Sequence, residues 1–157
     1  MLSATPSNET LFTLHYCYYI ETLNNRLFRW LAHLLCFIQT VLAALLMTQS
    51  IPMQWGGFLF AMLIFVQMVY RPVGRVAHAA IQASRYYEVL CASPTLTESE
   101  LQQRLRVIAQ NDSPASHQVR ELAYNCAAMA TDSKLSPLTG WLTRLLGRLT
   151  STPTPQI

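Results

Sequence analysis

Four histidines, four cysteines and eight carboxylates are the side chains of this 157-residue sequence with the chemistry to act as bases, nucleophiles or metal ligands. Their spacing assembles no catalytic constellation: there is no G-x-S-x-G, no phosphate-binding loop and no H-E-x-x-H. His15, His33, His78 and His117 are scattered, and each reads as a hydrogen-bonded packing residue. Cys17, Cys36, Cys91 and Cys126 show no C-x-x-C pairing and no histidine at ligand spacing, so neither a metal nor another cofactor is expected and the thiols should be reduced. A single carboxylate, Glu21, lies near the first long apolar segment. The expectation is a protein that is not an enzyme.

The polar groups with most to explain are two amides, Gln39 and Gln67, because of what surrounds them. The chain is 52% hydrophobic and only 12% charged, against globular averages of ~45–50% and ~25%. No charged residue occurs between Arg29 and Arg71, a run of 41 residues. Within it, spans of about 30–48 and 54–70 are divided by Gln49-Ser50-Ile51-Pro52-Met53. At ~1.5 Å per residue the two segments cover roughly 26–29 Å, close to the ~30 Å hydrocarbon core of a bilayer. Both are apolar all round, whereas helices of a soluble domain keep one polar face. Phe28, Trp30, Trp55 and Tyr70 stand at the segment edges, where aromatic rings prefer to meet the membrane surface.

A transmembrane hairpin over residues 30–71 is therefore expected. Arg26 and Arg29 precede it, Arg71 and Arg75 follow it, and the turn between the spans has no cation, so both termini should be cytoplasmic. The opening MLSATPSNET lacks the pattern of a cleavable signal peptide. These features suit a multi-pass protein of a bacterial inner membrane. An amide in hydrocarbon needs a partner, so Gln39, with Thr40 beside it, and Gln67 either bond between helices or line a wet path in an assembly of several copies. Gly57 and Ala61, and the patch Ala43-Ala44, are candidate helix-contact positions. Two helices cannot enclose a channel, so any transport role requires a homo-oligomer within the lipid bilayer.

Polar elements flank the hairpin. An amphipathic lead-in helix over 8–29 places Phe12, Tyr16, Tyr19, Leu23 and Leu27 on one face, with Asn8 as its cap, and runs on into the first span or lies on the membrane surface. A cytoplasmic helical bundle is expected over 72–131. Its first helix ends before Pro94 and offers Ala77, Ala80, Ser84, Tyr87 and Cys91 for packing. Its second opens on a Thr97/Glu100 capping box, and its third starts at Ser113-Pro114 with Val119, Leu122, Ala123, Cys126 and Met129 on one side. Residues 134–150 read as a basic amphipathic helix, with Trp141 among its leucines and Arg144 and Arg148 opposite, lying on the membrane or packing in the bundle; residues 151–157 read as a disordered tail. A net charge of +3 and the lack of a basic stripe with aromatics argue against direct nucleic-acid binding.

Over roughly residues 10–130 this layout resembles the SLATT family of two-helix membrane effectors of bacterial conflict systems. The likeness rests on the inside-facing hairpin, on RVAHAAIQASRYYEVL with His78 and the Tyr87-x-x-Leu90 step, on TESELQQRLRVI, on the break at Pro114, and on a helix with Ala123 and Asn125. The resemblance implies a cytoplasmic sensing bundle coupled to an oligomeric pore. It also implies a partner such as a nucleotide-signalling enzyme or a reverse transcriptase of the same system. The expected function is an antiphage effector, acting by abortive infection, that permeabilises the inner membrane when triggered. The alternatives are a non-conducting scaffold that recruits a soluble partner, and a holin-like lysis protein that kills when expressed alone.

Overall fold

The computed structural model describes residues 6–137 together with Gly140, Thr143 and Gly147, and all regular structure among them is helical. Trp141, Arg144 and Arg148 of the expected basic helix, and the tail 151–157, lie outside the described residues.

The first helix, α1, spans Asn8–Met47 without a break. Its N-cap is Ser7, one residue earlier than expected, whose hydroxyl accepts from the Thr10 amide at 3.2 Å. No Gly or Pro interrupts the stretch from Glu9 to Thr48. At 40 residues the helix is ~60 Å long, about twice the thickness of a bilayer's hydrocarbon core. Lead-in and first apolar segment are thus one rod. It ends in a Schellman turn in which Gln49 takes the left-handed conformation (φ 53°), with Gln49 N–H bonded to the Leu46 carbonyl and Ser50 N–H to that of Leu45.

The chain returns as α2, Met53–Tyr70, and stops at Arg71, which is also left-handed (φ 43°). Pro72 has no amide hydrogen to continue the ladder and begins α3, Pro72–Ala92. A 3-10 turn at Ser93–Thr95 leads to α4, Glu98–Ala109, opened by the expected Thr97/Glu100 capping box. Helix α5, His117–Ala130, starts at Ser116 and not at Ser113-Pro114, because the Ser116 hydroxyl caps the Val119 amide and Ser113 is engaged elsewhere.

α2 and α3 retrace α1 in the opposite direction. Leu46 lies against Gly56 near the turn, Gln39 meets Gln67, Phe28 meets Arg75, and Cys17 meets Tyr86 towards the far end. One helical stretch in α1 and one beginning at Met53 are long and apolar enough to cross a membrane. Their outer faces are unpacked: Phe37, Phe58 and Phe65 are 65%, 64% and 66% exposed, far from a globular core.

The polar half of α1 buries two faces. The expected stripe does pack, since Tyr16, Tyr19, Leu23 and Leu27 meet Val119, Leu122 and Ala123 of α5. A second stripe, Leu11, Leu14, Cys17 and Tyr18, meets Tyr86 and Val89 of α3 and Leu101 of α4. The packed face of α3 differs from the expected one: Ala79, Gln82, Tyr86 and Val89 are buried, whereas Ala77, Ser84, Tyr87 and Cys91 are exposed. Small residues suggested close approach, but α3 seats one large ring, Tyr86, whose hydroxyl is satisfied by Asp112.

Candidate functional site

Two polar constellations lie along the α1/α2–α3 seam. Inside the apolar hairpin, Gln67 Nε2 donates to Gln39 Oε1 at 3.1 Å. This is the pairing an amide pair in a nonpolar surround requires, since an unmet partner would lose its full solvation. Thr40 does not join it; its hydroxyl donates to the Cys36 carbonyl of its own helix at 2.9 Å. Closer to the turn, a Cβ added at Gly56 would run into the Leu46 side chain, so the two helices approach closely there. Gly57 and Ala61 are exposed, with open space beside Gly57, while Ala43 is half-buried and Ala44 exposed. Within one chain Gly57, Ala61 and Ala44 are therefore left unpacked.

The second constellation lies where the apolar segments end. Glu21 and Asn24 of α1 are 0% and 2% exposed. One Glu21 oxygen accepts from the Ser113 amide at 2.6 Å, while Glu21 Oε2 and Asn24 Nδ2 have no partner among the described residues. Around them, the Tyr86 hydroxyl donates to Asp112 at 2.7 Å, His78 bonds Ser113 at 3.2 Å, and the buried Gln82 amide donates to the Asn111 carbonyl. The loop 111–114 is thereby tied to α1 and α3 at once. Burial pushes the Glu21 carboxyl above its ordinary value, an effect opposed by the Ser113 hydrogen bonds and by His78 and reinforced by Asp112. Burial likewise raises Asp112, against the Tyr86 hydrogen bond and His78.

A groove of about 1030 Å³ joins the two constellations. Its walls run from Gln39 and Gln67, past Phe28 and Ala32, to Arg71, Arg75, His78 and Asp112. Arg75 holds its guanidinium 5.7 Å from the Phe28 ring centre and 5.9 Å from that of Tyr70, linking the lower ends of both apolar segments. Arg26, Arg29 and Trp30 are exposed along the same end of the first segment, as are Tyr70 and Arg71 at the close of the second.

The remaining positions singled out in the sequence lie in the bundle and its connecting loop. Leu90 packs beside Tyr86, Tyr87 is exposed with its ring 6.0 Å from that of Tyr18, and Pro114 is exposed in the loop. Ala123 is buried, and Asn125 pins the segment after α5 through two 2.9 Å bonds with the Ser136 backbone. Thr143, also buried, donates to Glu121 at 3.0 Å. Asn24, Gln82, Tyr86 and Asp112 were not legible as site residues; the one available signal was the isolation of Glu21 beside an uncharged run. Among the described residues no group of three His, Cys, Asp or Glu side chains could hold a metal.

Compared with family models, curated proteins and solved structures, the chain matches none.

Proposed function

We propose that the chain is a membrane effector. Its apolar hairpin resides in a bacterial inner membrane with both termini cytoplasmic, and copies assemble to open a pore when the cytoplasmic helices receive a signal. The observation that carries this is the unbroken α1, which has the α3–α4–α5 bundle on its first half and Gln39 on its second. A rod of this kind passes a tilt or rotation imposed at one end directly to the other, and the loop 111–114 grips it at Glu21. The exposed aromatic faces of the hairpin favour a lipid surround, and arginines at one end only favour the orientation.

In the quiet state Gln39 and Gln67 satisfy each other within one chain. Opening exchanges that bond for bonds between copies, placing amides along a wet path. Glu21 Oε2 and Asn24 Nδ2, buried without partners, supply a store of unfavourable energy at the grip point that movement of α1 releases. The resemblance to SLATT proteins supports an antiphage role by abortive infection, with the trigger delivered by a nucleotide-signalling enzyme or reverse transcriptase of the same system.

The same amide pairing also favours a second reading, a non-conducting scaffold whose hairpin only anchors the bundle. Membrane potential in expressing bacteria separates the two. With its signalling partner co-expressed and activated, the wild-type chain is expected to collapse it, and the double variant Gln39→Leu/Gln67→Leu, which removes donor and acceptor together, is expected to insert normally and leave it intact. Full potential despite activation, with the wild-type chain oligomeric in the membrane fraction, would support the scaffold and reject the pore, whereas collapse by the chain expressed alone would favour a holin-like protein.

A further inference from the structure

The groove beside Arg75 has the chemistry of a phospholipid site. Arg71 and Arg75 both line its mouth, one turn apart at the start of α3, and neither forms an ion pair among the described residues. Like charges at this spacing repel, and a shared anion relieves the repulsion. The N-terminus of α3 faces the same corner with no side chain capping it, and space beside Gly74 leaves its backbone open to approach. Arg71 holds a left-handed backbone that a non-glycine residue enters at a cost, so a cation is kept where glycine would be easier.

Behind this mouth the floor is apolar, running from Phe28 through Ala32 to Cys36 and closed by the Gln39–Gln67 pair. Gln39 lies eleven helical steps beyond Phe28, or ~16 Å, about half the ~30 Å hydrocarbon thickness and so the reach of one acyl chain. The geometry points to one anionic phospholipid of the cytoplasmic leaflet, its phosphate between Arg71 and Arg75 and an acyl chain laid along α1 to the amide pair. Basic pockets between spans on the cytoplasmic side are suited to such headgroups. A second copy fits less well, because it would set two arginine pairs against each other. A free soluble anion would leave the apolar floor empty. Asp112 and His78 form the far rim; the Asp112 carboxylate is turned to the Tyr86 hydroxyl, and His78 bonds Ser113, so bound lipid would touch the loop that grips Glu21.

This inference rests on the hairpin being embedded in lipid, and its test keeps the two apart. The full chain in neutral detergent is titrated with phosphatidylglycerol or phosphatidylcholine and read by native mass spectrometry. One phosphatidylglycerol per chain is expected, preferred on the order of tenfold over phosphatidylcholine. Arg71→Asn/Arg75→Gln, in which Asn tolerates the left-handed backbone, should abolish the preference. Arg26→Gln/Arg29→Gln, removing two cations from the other helix, should preserve it. Equal loss in both variants would overturn the site in favour of general surface attraction. Displacement of the lipid by inorganic phosphate would overturn it in favour of a free anion, and a lipid-free dimer blocking the groove in favour of a second copy. A chain monodisperse in buffer without detergent would instead overturn the membrane reading itself.

Discussion

Glu21 carries the sharpest conflict among the individual residues. Its carboxylate is removed from water, one oxygen accepts from the Ser113 backbone, and its second oxygen, like the buried Asn24 amide nitrogen, has no partner among the described residues. Each unmet buried group of this kind costs ~1–3 kcal/mol. Burial therefore disfavours the charged form more in the folded than in the unfolded chain, and the folded pKa lies above that of the unfolded chain. The sign follows: stability is greatest below the unfolded pKa, is lost as pH rises from there through the folded value, and is level above it. Asp112 acts in the same direction. Glu21→Gln should keep the acceptor for Ser113, raise the melting temperature in detergent at neutral pH, and flatten its decline between mildly acidic and neutral pH. An unchanged pH profile would show that Glu21 ionises in the folded protein as it does in the unfolded one.

Among the elements, the hairpin depends on how closely α2 can approach α1. Gly56 faces Leu46 of α1, but the atom a Cβ would meet is the flexible end of that side chain, so Gly56→Ala should be absorbed by its rotation. Gly56→Ile leaves no such escape and should cost ~1–3 kcal/mol, separating the helices and exposing the Gln39–Gln67 pair. Thermal melts in detergent check both outcomes. Equal tolerance of Ala and Ile would mean that the helices are not held at this contact. Gly57, one residue on, should accept either substitution within a single chain because nothing lies beside it.

For the whole molecule, orientation is the decisive property. Cys91 is exposed on α3, whereas burial lifts the Cys17 thiol to about 11 and raises that of Cys126. A membrane-impermeant maleimide added to inside-out vesicles should label Cys91 rapidly and Cys17 and Cys126 slowly. In right-side-out vesicles all three should stay unlabelled while a cysteine introduced at Gln49 reacts. Labelling of Cys91 from outside would reverse the topology and with it the idea of a cytoplasmic trigger.

Much of this architecture was legible without coordinates. The uncharged run between Arg29 and Arg71, the break at Pro72, the Thr97/Glu100 box and the α5 stripe at Val119, Leu122 and Ala123 are local patterns, and local patterns determine where helices form and which are apolar throughout. The tertiary structure alone decided the packed face of α3, the pairing of Gln39 with Gln67, and the meeting of Glu21, Tyr86, Asp112 and Ser113. Those depend on register between segments tens of residues apart. Tyr86 and Tyr87 are equally plausible core residues by type, and only the position of the 111–114 loop, which offers Asp112 to one hydroxyl, selects between them. Periodicity reports which residues share a face, whereas hydrogen-bond satisfaction across distant segments decides which face is buried.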